Sequence, residues 1–404
     1  MTQAGEDRGS IVFKLRRGAI PLSPDAAFPS SEALWSLLGD LAKRDPSILT
    51  PVFGGTPPAG EGPSSVLPYD PELTYLLEPQ DDLPMEHLLK LLHEAVPLIE
   101  YAEHPSIFAP DVPLACFATF EEADWGISHC GFDQVWTTLD TVQDGPRIMV
   151  IDYGRIGLDH PALSPRITPM MQTPRGQPAN HAAGVASILA AIRPTAPRGG
   201  EVLGCCSAPL IVCDVAGEPT TTNYGFDYCL FQRALRTASS HFIPVVNISM
   251  SGPNCDQTTR LNVARTLHAG VSIVASVGND HSTEPRYPAA LDGVIGVGAI
   301  GRSLGHLRAS NQGAHVWVAA PGEGLRGVTA RSYVSPTLAG TSFAAPMVSA
   351  AVWLIRLRGV CASQAAVLIA ETASKDPRWS SDGRDNLIGY GVLNMPRIEM
   401  RLRS

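Results

Sequence analysis

The sequence predicts an α/β fold, a parallel sheet with helices on both faces, preceded by a small α+β domain. Three observations predict it. Beyond Pro105, short and fully apolar runs alternate with alanine-rich helical patterns, as parallel strands buried on both faces require. The first hundred residues carry a different order, two helical patterns set among four strand patterns. The length, 404 residues at 44% hydrophobic and 17% charged, accommodates one large core and one small one. We place the first domain at residues 1–108, with a loop at 54–70, and the second at 109–404.

In the first domain, Ile11 to Leu15 reads as a strand. Ser30 and Ser31 stand ready to cap a helix through Ala42, where apolar residues recur every three or four positions. Ile48 to Phe53 is a second strand, and the Gly/Pro/Ser-rich stretch Gly54 to Pro68 is an exposed loop, since its composition cannot build a core. Leu73 to Leu77 is a strand, Met85 to Ala95 an amphipathic helix and Leu98 to Ala102 a strand. The order β-α-β-β-α-β is that of the split βαβ, ferredoxin-like arrangement. In the second domain, strands are expected at 147–151, 210–212, 244–248, 271–275 and 294–297, with helices at 182–192, 228–238, 259–269 and 344–356. Catalytic groups in such sheets collect at the carboxyl ends of the strands.

A net charge of −9, from 30 basic and 39 acidic residues with no block of one sign, argues against a nucleic-acid partner. The longest small-apolar stretch, Ala182 to Ile192, falls well short of the roughly twenty residues of a membrane span, so no membrane partner is expected. Eight cysteines show no CxxC and no staple or zinc spacing, and read as small apolar fillers in a reducing compartment. Met1 to Arg17 mixes charges without a long apolar stretch, unlike a secretory signal. We therefore expect a cytoplasmic chain, with export by a route without a signal left open.

Three segments end or open apolar elements with reactive residues. Ile148-Met149-Val150-Ile151 runs into Asp152, a carboxylate at a strand end. His181 opens the small-residue helix, and Ser342 opens another inside Gly340-Thr341-Ser342-Phe343-Ala344-Ala345-Pro346, where backbone N–H groups favour an anion. Singly, each reads as a turn former, a helix-end histidine or an N-cap. Together they are the parts of an activated hydroxyl nucleophile: serine attacks, histidine takes its proton, and aspartate orients the imidazole.

With these residues in place, the chain resembles the subtilisin-like serine peptidases, the S8-type subtilases, over residues 124 to 396. The order Asp, His, Ser is that of subtilisin. Asp152-Tyr153-Gly154 is similar to the family's Asp-Thr/Ser-Gly, His160-Pro161-Ala162-Leu163 to His-Pro-x-Leu, His181 to Ala186 to His-Gly-Thr-x-Val-Ala, and Gly340 to Pro346 to Gly-Thr-Ser-x-Ala-x-Pro. Further blocks follow in family order at Asp124-Trp125-Gly126-Ile127, Tyr287-Pro288-Ala289, Ser310-Asn311-Gln312-Gly313 and Ala320-Pro321-Gly322.

The resemblance implies Asp152, His181 and Ser342 as the triad and Asn279 as the oxyanion donor. It implies Ser249, Met250, Ser251 and Gly252 as the strand beside an extended substrate, with Ser276, Val277 and Gly278 as pocket wall. The short loop Asp280 to Arg286 implies a modified pocket. No metal is implied: Ala162 stands where relatives place an acidic ligand, and Arg193 to Gly200 carries no carboxylate or Asn ligand for calcium. The family departures are Ala182 and Ala183 for Gly-Thr, Ser187 where Gly is common, and the bulky Tyr153, with one hydroxyl hydrogen bond expected to be lost beside His181.

The front domain resembles the family's propeptide, which implies an intramolecular inhibitor and self-cleavage between about His104 and Glu122. Two function classes fit: a serine endopeptidase acting on protein or peptide substrates, needing no cofactor, and an inactive relative that binds peptides without cutting them.

Overall fold

The structure is a computed structural model. It describes residues 10–16, 49–53, 72, 74–78, 85–94, 99–110, 124–137, 145–154, 160–171, 180–193, 202–217, 226–328, 334–375 and 383–404. The expected helix at 30–42 and the loop at 54–68 lie outside these residues. The chain divides into two compact units, Met1–Ser106 with Cys255–Asn262, and Ile107–Asn254 with Val263–Ser404.

In the first unit, β1 (Ile11–Leu15), β2 (Leu49–Pro51), β3 (Thr74–Leu77) and β4 (Ile99–Glu103) form an antiparallel sheet in the order β2-β3-β1-β4, with α1 (Met85–Glu94) between the last two in sequence. Strand β3 lies between β1 and β2, while β1 lies between β3 and β4, so two crossovers interleave as the β-α-β-β-α-β order requires. Ile11, Val12, Phe13 and Leu15 are buried, Phe13 stacks on Tyr75, and α1 contributes Leu88 and Leu92. In the 255–262 segment of this unit, Asp256 caps the following turn by accepting from Thr259 N–H, and Ser106 donates to the same carboxylate from both backbone and hydroxyl.

The second unit is built on a seven-stranded, wholly parallel sheet. In chain order its elements are β5 (Ala109–Pro110), α2 (Trp125–Cys130), β6 (Ile148–Asp152), β7 (Ile167–Met171), α3 (Asn180–Ala190), β8 (Leu210–Asp214), α4 (Tyr228–Ser240), β9 (Val245–Ile248), β10 (Met250–Ser251), the part of α5 (Gln257–His268) from Val263 onward, β11 (Ser272–Ser276), β12 (Ile295–Ile300), β13 (Val318–Pro321), β14 (Leu325–Val328), β15 (Val334–Leu338), α6 (Thr341–Leu357), α7 (Ala362–Thr372) and α8 (Met395–Arg403). The sheet order is β13-β12-β11-β9-β6-β8-β7. Strand β6 shows why the runs are apolar throughout: Ile148 and Val150 enter one core with α3 and α6, while Met149 and Ile151 enter another with Phe231, Ala234 and Leu235 of α4. Helix α6 is buried along almost its whole length, and its Trp353 donates from Nε1 to the Pro146 carbonyl at 2.6 Å. Among the described residues no single helix is long and apolar enough to cross a membrane.

Four histidines of this unit, His129, His160, His306 and His315, are held below their ordinary value of 6.5, the first two by burial alone. Burial, then Arg384, holds His315 below its ordinary value of 6.5, and burial, then His281, does the same for His306. A histidine with a depressed folded pKa binds fewer protons folded than unfolded, so stability is full above 6.5 and is lost as pH falls through and below that value. The melting temperature is expected to drop between pH 7 and pH 5, with a shallower drop in a His306→Asn/His315→Asn double variant; equal slopes would contradict this.

Candidate active site

Asp152 closes β6 and is fully buried. Its Oδ1 accepts His181 Nδ1 at 2.7 Å and the Tyr153 backbone N–H at 2.6 Å. In register with it on β8, Asp214 accepts the N–H groups of Gly154 and Ala216, which shapes the turn leaving β6.

His181 is the second residue of α3 and is 7% exposed. Its ring lies 5.3 Å from that of Phe343, the neighbour of Ser342, so the two helix starts meet at the imidazole. Gly184 permits this approach: a Cβ there would stand 2.9 Å from Phe343 Cε1 and 3.0 Å from Leu338 Cδ1. Ser187 Oγ donates to the Gly184 carbonyl and accepts from Val328 N–H, tying α3 to β14.

Ser342 is the second residue of α6, whose N-cap is Gly340. Pro346 lies inside the same helix, and it lacks the N–H that would bond the Ser342 carbonyl four residues back. That carbonyl accepts instead from Ser249 Oγ at 2.8 Å, and Ser342 Oγ donates to the Ser249 carbonyl at 3.2 Å. Behind them Ser349 donates to Asn247 Oδ1, and Asn247 Nδ2 donates to Ser249 Oγ, each at 2.9 Å. A chain of buried, satisfied polar groups therefore fixes the Ser342 backbone against the end of β9.

Asn279 faces the same helix start. Its Oδ1 accepts the Thr341 N–H at 3.0 Å and the Thr341 hydroxyl at 3.2 Å, which orients the amide. The Nδ2 end is buried and has no hydrogen-bond partner among the described residues. A buried donor without an acceptor is costly unless something else accepts from it. Gly340 adopts φ +129°, and a Cβ on it would stand 2.6 Å from this Nδ2.

Ser249, Met250, Ser251 and Gly252 form the edge next to Ser342, and the chain's own β5 pairs with it. Pro110 lies opposite Met250 and Ala109 opposite Ser251, antiparallel. Phe108 is fully buried, with its ring 5.5 Å from Phe226 and 5.1 Å from Phe231, and its carbonyl accepts the Tyr153 hydroxyl at 2.5 Å. Burial, then the charges of Asp152 and Asp214, pushes the Tyr153 phenol well up, so it is a neutral donor. Ser276 ends β11, and Val277 continues it by donating to the Val297 carbonyl. Gly278 follows at φ +97°.

Among the described residues no three His, Cys, Asp or Glu side chains gather to hold a metal ion. No step below involves one.

The model of the subtilase family, peptidase S8, matches residues 143–391, more than half of the chain. The chain belongs to the subtilase family. It is similar to thermitase from Thermoactinomyces vulgaris, 26% identical over 273 residues covering 63% of this chain and 90% of that one. Subtilisin DY from Bacillus licheniformis is 29% identical over 174 residues, 42% of this chain and 61% of that one, and the alkaline protease of Shouchella clausii is 27% identical over 330 residues, 80% and 78%. The chain spans about three fifths of the length of the curated relatives it matches first. Among solved structures, the prenylagaramide maturation protease matches with a TM-score of 0.56 at 23% identity, over 67% of this chain and 98% of that one, a likeness of fold alone.

Several groups packed around the candidate residues of this subtilase carry no sequence signal of their own. Asn247 and Ser349 lie within runs read only as strand and helix, and the phenol of Tyr153 was read as bulk alone. Pro346 was quoted as part of a motif; its missing N–H was the signal that another donor must serve the Ser342 carbonyl.

Proposed function

We propose that this subtilase is a serine endopeptidase that cuts extended protein segments. The observation that carries the reading is the buried 2.7 Å contact between Asp152 Oδ1 and His181 Nδ1 beside the start of α6. A carboxylate there fixes the imidazole tautomer with Nδ1–H donating, which leaves Nε2 as the base for the Ser342 proton. Ser342 Oγ would add to the scissile carbonyl carbon as His181 takes the proton. The tetrahedral oxyanion would accept from Asn279 Nδ2 and from the Ser342 N–H, one of the first four N–H groups of α6 that lack intrahelical acceptors. His181 would then protonate the leaving amine, and water would hydrolyse the acyl-enzyme by the same route. A substrate strand would pair with β10 through main-chain bonds, which are largely blind to side chains.

We also propose that the N-terminal domain restrains the enzyme and is cleaved from it. Support comes from β5, the segment that follows that domain in sequence and takes the position on β10 that a substrate strand would need. A Cβ on Gly252 would collide with the Ile107 carbonyl, so chain and edge approach closely there. Intact masses of wild type and Ser342→Ala test self-cleavage. Wild type is expected to lose a fragment ending beyond Pro110 and before about Glu122, and the variant to stay whole; identical full-length masses would overturn it. Digestion of denatured casein tests the activity itself: fragments are expected with wild type and none with Ser342→Ala. Casein left intact by both proteins would favour the peptide-binding reading.

A further inference from the structure

We propose that Arg286 selects an acidic residue immediately before the bond that is cut. The inference rests on the peptidase reading above and adds to it a class of substrate.

The register of the β5–β10 pair supplies the geometry. Ala109 faces Ser251 and Pro110 faces Met250, antiparallel, so an extended chain continuing one residue further meets Ser249. The Ser249 carbonyl is the group that Ser342 Oγ touches, at 3.2 Å. A residue opposite Ser249 therefore presents its carbonyl to the nucleophile, and its side chain is the one read beside the reacting centre. Asn279, the oxyanion donor, follows Gly278 directly in sequence. A Cβ on Gly278 would stand 3.1 Å from Ser251 Oγ and 3.3 Å from Arg286 Cγ, so the arginine stem lies against the residue next to the oxyanion donor. Its backbone position is set by Tyr287, which exchanges both N–H···O bonds with Gly252 at 3.0 Å and 2.9 Å.

The guanidinium has capacity to spare. Nη2 pairs with Asp280 Oδ2 at 2.8 Å, and the Asp280 side chain is half exposed. Arg286 Nε is buried and has no hydrogen-bond partner among the described residues. Asp280 is itself shared, since Asn311 Nδ2 donates to it at 3.3 Å. A guanidinium with an unserved Nε–H can take a second carboxylate through parallel bonds, geometry that a neutral or basic side chain cannot match. In the sequence the residue after Pro110 is Asp111.

The test is a panel of peptides Phe-Ala-Pro-X, with X as Asp, Glu, Asn, Leu or Lys, each carrying a fluorogenic leaving group. It is run on the purified full chain, with fluorophosphonate labelling of Ser342 counted in the same sample. Asp and Glu are expected to exceed Asn and Leu in kcat/KM by roughly 10- to 100-fold, the scale of one hydrogen bond to a charged group. Arg286→Gln is expected to collapse the Asp-to-Leu ratio to near one, and Arg286→Glu to shift preference toward Lys. A chain that labels at Ser342 yet cuts Leu or Lys peptides as readily as Asp, or cuts no acidic peptide, overturns this inference alone. A preference for Asp that survives Arg286→Gln also overturns it. A chain that neither labels nor cuts takes the peptidase reading down with it.

Discussion

Replacement of His181 by alanine is expected to lower kcat/KM on an unfolded protein substrate by about 10⁴- to 10⁶-fold, the scale seen when one member of a cooperating triad is lost in subtilisin, a member of this family. The reason is local. No other titratable side chain is hydrogen-bonded to the Asp152 carboxylate among the described residues, so nothing replaces the imidazole as proton acceptor. Asp152→Asn is expected to cost about 10⁴-fold, because an amide keeps the geometry but can favour the wrong imidazole tautomer. Steady-state kinetics beside a thermal melt check both. A His181→Ala protein that melts like wild type and turns over within tenfold of it would remove His181 from the chemistry.

Removing the proposed oxyanion donor is the second large effect. Asn279→Ala is expected to reduce kcat by about 10²- to 10³-fold with KM little changed, since the lost bond strengthens only as the carbonyl oxygen gains charge. Gly340→Ala is expected to reproduce much of this loss from a different residue. Its Cβ would stand 2.6 Å from Asn279 Nδ2, and the position's φ of +129° is strained for any side chain. A Gly340→Ala protein with wild-type kcat would mean that Asn279 Nδ2 does not point where the reaction develops its charge.

Much of this was legible in the sequence, for physical reasons that also explain what was not. Strands β6, β9 and β11 are uninterrupted apolar runs because both faces are covered, so composition alone exposes them. Strand β7 was missed because it contains Pro169 and lies at the sheet edge, where burial does not enforce an apolar run. Strand β13 is four residues ending in Pro321, and α2 is six residues, both too short for a periodic signal. Helices α7 and α8 each bury only part of their surface, and α8 bears four charged side chains along nine residues.

The site divides in the same way. Asp152, His181 and Ser342 stand at the ends of core elements, whereas Asn279 is legible only through the resemblance of its segment to the family's. The pairing of Ala109 and Pro110 with Met250 and Ser251 joins residues about 140 apart in sequence and leaves no local trace. The Ser187 hydroxyl, which accepts from Val328 N–H and so ties α3 to β14 across 141 residues, likewise leaves no local trace.

The central claim is that Ser342 is a nucleophile activated by His181, and chemical labelling tests it most directly. Incubation of the intact protein with a fluorophosphonate, followed by peptide mapping, is expected to place the adduct on Ser342 alone and to show none in His181→Ala or Asn279→Ala beyond a small residue. Absence of the adduct in folded wild-type protein, or an adduct that survives in His181→Ala, would contradict the account.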